Sequence, residues 1–163
     1  MTSLAARPVP LTATPRCADV VVVGGGTVGA ATARALARRG ASVVLLERFG
    51  PGTGPDDAAA RALQASAATD GVLVRHHRRV TAVERRPDGV LVRSAAGAAV
   101  RAHAAVVATG AGASGAALAR SGAVVSVAAD PGTGAQVAAD LAEQVADLLL
   151  GPASGHVGLA AAG

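Results

Sequence analysis

The sequence predicts an α/β fold: a mostly parallel sheet covered by helices, with a three-stranded antiparallel β-meander attached. Three observations lead there. Residues 20–23 (VVVV) and 42–47 (SVVLLE) are continuous apolar runs, as expected of parallel strands buried on both faces. A glycine-rich turn and one helix-length segment lie between them, completing a βαβ unit in about thirty residues. Further on, three segments alternate apolar with polar side chains, separated by the hairpin-turn signals Pro87-Asp88-Gly89 and Ala95-Ala96-Gly97.

Taken in order, residues 1–17 hold three prolines and no periodic apolar face, and read as a flexible leader. The stretch has no continuous apolar core of a secretory signal, and its Arg, Ser and Thr without acids give only a slight likeness to a transit peptide. Order is expected from Asp19, and the globular domain is expected over 18–150. Residues 28–39 form a helix with Ala33, Leu36 and Ala37 inward and Arg34, Arg38 and Arg39 outward, stopped by Gly40. Residues 50–55 (GPGTGP) are a turn-forming linker, residues 56–68 a helix and 72–74 a short strand. The meander occupies 79–84, 90–93 and 98–102. A wholly apolar strand, 104–108, then ends in Thr109-Gly110. A second linker falls near 115–122, before a buried strand over 123–128. Gly132-Thr133-Gly134 opens a helix to about residue 150, with Val137, Leu141, Val145 and Leu149 inward. Residues 151–163 read as a flexible tail.

Composition narrows the chemistry. Of the 163 residues 51% are apolar, and 43 are Ala; there is no Ile, Trp or Tyr and one Phe. A chain of this length can bury roughly 68–70% of its unfolded surface, so a core is expected, thin and built of small residues. All 15 cations are Arg. Without Lys there is no Schiff base and no GxxxxGK[ST] loop, and without Tyr no Tyr–Lys proton relay. Asn is missing too, a bias expected of a GC-rich genome. Cys17 is the single cysteine, which excludes an internal disulfide or a thiolate metal cluster and suits a reducing cytoplasm. No apolar run reaches membrane-spanning length, so no membrane partner is expected. The net charge is +4, but scattered arginines without stacking aromatics argue against nucleic acid.

Gly24-x-Gly26-x-x-Gly29 lies between a strand and a helix, with Glu47 closing the next strand. Each glycine has its own role in this pattern. Gly24 allows the tight turn, Gly26 the approach of backbone to a pyrophosphate, and Gly29 close helix–strand packing. A helix N-terminus offers free N–H groups to the phosphates. Glu47 can accept from a ribose 2′-hydroxyl and would repel a 2′-phosphate, while Arg48 leaves room for NADP. The fold expectation is thereby a Rossmann-like sheet binding FAD or NAD(P), and the motif does not choose between them.

Four segments, 19–52, 71–84, 103–114 and 124–151, together resemble the FAD-dependent oxidoreductases of the D-amino-acid oxidase and sarcosine (glycine) oxidase type. They occur in that family's order, and a hairpin excursion from the sheet is typical of it. The resemblance implies non-covalent FAD. Gly24, Gly26, Thr27, Val28 and Gly29 would form the pyrophosphate loop, Glu47 and Arg48 would meet the adenosine ribose, and Val80 would offer its backbone to adenine. Ala108, Thr109 and Gly110 would pass close to the dinucleotide, and Gly132, Thr133, Gly134 and Ala135 would start a helix facing the flavin. It also implies a small amine, amino acid or hydroxy acid as substrate. That family inserts a substrate-binding sheet where this chain has only the linkers near 50–55 and 115–122, and no counterpart exists for a flavin-attaching cysteine. No catalytic base is assigned. Three readings follow: an amine/amino-acid oxidase-type flavoprotein with weak or no catalysis; a non-catalytic dinucleotide-binding remnant, or a subunit completed by a partner chain or a second copy; and an NAD-dependent reductase domain.

Other candidates carry less. His76 and His77 are adjacent, so on a strand they point to opposite faces and cannot share a metal. His103 and His156 have no acid or thiol at motif spacing. Gly112-Ala113-Ser114-Gly115-Ala116 lacks the last glycine of a nucleophile elbow. Asp56 and Asp57 suit a helix start, where acids complement the dipole.

Overall fold

The computed structural model describes residues 13–50, 58–109, 116–130 and 133–152. Its elements run β1 (Cys17–Val23), α1 (Thr27–Arg38), β2 (Val43–Leu46), α2 (Ala58–Thr69), β3 (Leu73–Arg75) and β4 (Val80–Arg86). They continue with β5 (Gly89–Ser94), β6 (Ala99–Val107), β7 (Ala117–Ser121), β8 (Val124–Ala128) and α3 (Ala135–Leu150).

The parallel part of the sheet runs β3-β2-β1-β6-β8. β1 is central: Val21 pairs with Val44 on one side and Ala105 on the other. Because side chains alternate along a strand, the valines of β1 divide between two layers. Val20 and Val22 join Leu45 under the helices, packing with Ala30, Ala33 and Leu36 of α1, Ala67 of α2 and Leu141 and Val145 of α3. Val21 and Val23 join Val44 and Leu46 on the opposite face, covered by Val90, Val92 and Val100 of the meander. The architecture is three layers: helices, parallel sheet, meander. The α/β class and the mostly parallel Rossmann-like sheet are as the sequence predicts.

Four details differ from the sequence expectation. Residues 98–102 and 104–108 are one strand, β6, whose early residues pair antiparallel with β5 and whose later residues pair parallel with β8. His103 marks no break, since Arg101 and His103 face out while Ala102 and Ala104 face in. Part of the expected second linker is β7, antiparallel to β8. It is mostly exposed, so ladder hydrogen bonds rather than burial form it, and periodicity could not reveal it. On α3 the inward stripe is Ala138, Leu141, Ala142, Val145 and Ala146, while Val137 is 46% exposed. Alanines displaced the larger residue because close helix–helix contact selects small side chains. β1 begins at Cys17, two residues before Asp19, with Cys17 and Ala18 paired to Arg101 and Ala102. Residues 1–12, 51–57, 110–115, 131–132 and 153–163 lie outside the described residues, and with them most of the leader, of the first linker and of the tail. No described helix is long and apolar enough to cross a membrane.

Candidate dinucleotide site at the C-terminal rim of the sheet

The glycine-rich turn sits where β1 ends, between the ends of β2 and β6. Gly24 N–H donates to Leu46 O (2.9 Å), and Ala108 N–H donates to Val23 O (2.8 Å). Gly24 has φ +104°, and a Cβ there would lie 2.4 Å from Ala108 O. A Cβ on Gly29 would lie 1.9 Å from Gly24 O, so α1 crosses the turn at a distance only glycine permits. Gly26 differs: a Cβ there meets nothing within 4 Å. It is also the N-cap of α1, with no side chain capping the helix and no acid in its first turn. The N–H groups of this turn, around Thr27 and Val28, therefore face a space kept clear by glycine, with the positive end of a helix dipole behind them. This is a cradle that fits the pyrophosphate of a dinucleotide.

Glu47 follows β2 and is 5% exposed. Its Oε2 accepts from Gly25 N–H (2.6 Å) and its Oε1 from Phe49 N–H (3.0 Å). The carboxylate thus ties the end of β2 to the phosphate turn, and each oxygen keeps lone-pair capacity for a hydroxyl donor. Arg48 is exposed, its guanidinium 4.4 Å from the centroid of the Phe49 ring. Val80 opens β4, half-buried and paired with Ser94. Ala108 touches the turn and Thr109 is exposed beside it. At the end of β8, Thr133 donates from both N–H (3.0 Å) and Oγ1 (2.7 Å) to Asp130 O. Gly134 then caps α3 without a side-chain bond, and Ala135 begins it. β8 and β1 flank β6 in parallel, so the N-termini of α3 and α1 open on the same rim. Gly110 and Gly132 lie outside the described residues.

Two polar features here escaped the sequence reading. Gln64 of α2 is 7% exposed and donates from Nε2 to Gly25 O. The signal was present: Ala60, Gln64 and Ala67 share the buried face of α2, and a glutamine in such a stripe needs a partner. Arg75, buried at the end of β3, donates to Ala13 O (2.7 Å), and Arg78 donates to Thr14 Oγ1 (3.1 Å). Burial, with Arg78 nearby, moves the Arg75 guanidinium below its ordinary pKa. Both arginines hold the segment before β1 against this end of the sheet.

The other sequence candidates lie apart from the turn or outside the described residues. His76 and His77 are in the β3–β4 connection rather than on a strand; His76 Nδ1 is 3.2 Å from Phe49 O. His103 has a side chain 81% exposed and stands 3.6 Å from Asp19 Oδ1, a neighbour that only folding supplies. No group of three or more His, Cys, Asp or Glu among the described residues could hold a metal. Asp56, Asp57, Ser114 and His156 lie outside the described residues. Cys17 is exposed at the start of β1.

Among curated proteins none matches the chain. Similar solved structures include the Diels-Alderase PyrE3 of pyrroindomycin biosynthesis, 21% identical over 57% of this chain and 32% of that one, with a TM-score of 0.51. The thioredoxin reductase of T. acidophilum is 21% identical over 65% of this chain and 38% of its own, TM-score 0.51. The halogenase PltM is 14% identical over 58% and 34%, TM-score 0.50. At these identities the likeness concerns the fold, and the chain matches about a third of the length of these structures. The sequence pattern of the pyridine nucleotide-disulphide oxidoreductases matches residues 3–148, nearly the whole chain. A three-layer fold with a glycine-built cradle over an uncapped helix suits that match and a flavin or nucleotide cofactor: the chain belongs to the pyridine nucleotide-disulphide oxidoreductase family.

Proposed function

We propose that the chain binds FAD without a covalent link, as the dinucleotide-binding part of a flavoprotein oxidoreductase. The observation that carries the reading is the clear space at Gly26 in front of the uncapped N-terminus of α1. Gly26, Thr27 and Val28 would receive the pyrophosphate through backbone N–H groups, Glu47 the adenosine ribose, and Val80 the adenine. Ala108 and Thr109 would line the path, and the α3 N-terminus from Gly134 would face the ring. Bound FAD would supply two-electron chemistry by accepting a hydride from a substrate carbon. The chain's own share is binding and orientation. Its one cysteine, Cys17, cannot form an intrachain disulfide, so dithiol exchange is not within these residues. The D-amino-acid and sarcosine oxidase-type reading, with a small amine, amino acid or hydroxy acid as substrate, is supported by the four segments of sequence resemblance. Completion by a partner chain or a second copy is the second reading, supported by the match to only about a third of the similar structures.

The deciding measurement is the absorption spectrum of the purified protein after loading with FAD, followed by acid precipitation. A flavin spectrum, with the flavin released into the supernatant, is expected. Flavin retained in the pellet, or NAD as the only ligand retained, overturns the reading.

A further inference from the structure

The pattern Gly24-x-Gly26-x-x-Gly29 leaves its second position free, yet this chain has glycine there. The structure gives Gly25 a reason. Its N–H donates to Glu47 Oε2 (2.6 Å) and its carbonyl accepts from Gln64 Nε2. A Cβ on Gly25 would lie 2.8 Å from Glu47 Oε2 and 2.9 Å from Gln64 Nε2. Gly25 is not among the residues with positive φ, so an added Cβ here would press on two side chains closing on one residue and would not strain the backbone. Both side chains are buried, at 5% and 7% exposure, and they come from different elements: Glu47 from the end of β2, Gln64 from the middle of α2.

We propose that Gln64 is a positioning residue for the phosphate loop: with Glu47 it clamps Gly25 and thereby sets the direction of the Gly26 N–H. In a planar trans peptide the C=O and the following N–H point in opposite directions, and no described peptide is cis. Holding the Gly25 carbonyl toward α2 turns the Gly26 N–H away from α2. Without Gln64 the buried carbonyl has no donor in that direction, and rotation of the 25–26 peptide becomes the way to satisfy it. The N–H would then turn from the ligand. The inference rests on the dinucleotide reading above, and it adds a specificity consequence. Gln64 matters for ligands carrying a pyrophosphate, and its effect is transmitted through the loop rather than by contact.

The test compares wild type with Gln64→Met, Gly25→Ala and the double variant, titrating each with FAD and with ADP. Circular dichroism melting without ligand runs alongside. Met keeps the length of Gln without its donor; Ala presses on the clamp from the opposite side. Each single variant is expected to bind FAD and ADP about ten- to hundredfold more weakly, with the unliganded fold retained. The double variant is expected to be no weaker than the worse single one, because both break the same device. The amide signal of Gly26 should move on ADP addition in wild type and stay still in Gln64→Met. Wild type that binds neither FAD nor ADP overturns the dinucleotide reading and this inference with it. Wild type that binds while Gln64→Met binds equally well, or losses that multiply in the double variant, overturns the inference alone. Should Gln64→Met fail to fold, Gly25→Ala decides: unchanged affinity for ADP in that variant overturns the clamp.

Discussion

Gly26 and Gly29 are three residues apart in the same motif and should respond oppositely to one added methyl. Gly29→Ala places a Cβ 1.9 Å from Gly24 O, backbone that cannot step aside. Loss of stability of about 3 kcal/mol is expected, as for overpacking in a tight site. Gly26→Ala meets nothing within 4 Å and should change stability by less than about 1 kcal/mol, as N-cap exchanges of this kind do. Its FAD affinity should nevertheless fall about tenfold or more, and Gly26→Val should bind more weakly still. Denaturant melts beside flavin titrations separate the two effects; unchanged FAD binding in Gly26→Val would count against the cradle. Asp19 supplies a pH dependence. Its Oδ2 accepts from Ser42 N–H (2.8 Å), and this bond, with the Ser42 hydroxyl next, holds its carboxyl below the ordinary value of 3.8. A lowered folded-state pKa contributes stability above the unfolded value and loses it as pH falls through the folded one. Melting temperature should therefore drop on acidification below about pH 4, less steeply in Asp19→Asn.

At the scale of elements, the C-terminal ends of α1 and α3 are joined by one side chain. Arg39, only 16% exposed, donates to Asp147 Oδ1 (2.6 Å), to Gly151 O (3.2 Å) and to Glu143. It neutralises acids on one helix and satisfies a carbonyl just past its end, while the small-residue faces of α1 and α3 pack behind it. Its acidic partners are half-exposed, so screening limits the contribution to about 1 kcal/mol. Arg39→Ala should lose about that much. Arg39→Lys should restore less than half, since its three donors sit on one nitrogen, whereas the guanidinium reaches Asp147 and Gly151 from one nitrogen and Glu143 from another. Chemical denaturation at low and high salt checks both; equal stability of Arg39→Lys and wild type would argue against the fork. The C-terminal end of α1 was legible beforehand because Gly40 stops the helix by a local bond pattern: Gly40 N–H to Ala37 O and Ala41 N–H to Leu36 O. β7 was not legible, because its partner β8 is what makes it a strand.

For the whole molecule the expected turnover is low. Efficient catalysis needs a substrate held in near-attack geometry, a contribution of roughly 7–11 kcal/mol, in a site that excludes water. These 163 residues include one aromatic side chain, Phe49, with no Tyr and no Lys. With FAD bound, reduced flavin should react readily with oxygen, while D-amino acids, sarcosine and glycine reduce it slowly. Anaerobic mixing reads this directly. Saturable bleaching in the usual enzymatic range, about 1–10³ per second, would show that the chain carries a complete substrate site.

The sequence by itself determined the α/β class, the βαβ unit and the glycine turn. Those depend on local steric rules and on alternation, which neighbours in the chain already specify. The continuous runs of β1 and β2 predicted strands buried on both faces, and Val20 to Val23 are buried between helices and meander as that pattern requires. Tertiary structure alone decided what lies far apart in sequence but near in space. It joined residues 98–102 to 104–108 as one strand serving two neighbours, shifted the α3 stripe onto alanines, and brought Asp19 to His103. It also closed Glu47 and Gln64 on Gly25. Each of these outcomes rests on which surfaces meet across the sheet, and a one-dimensional pattern does not hold that information. Burial turned an inconspicuous glutamine into a partner of the phosphate turn, because a polar group removed from water must find a mate among whatever the fold places beside it.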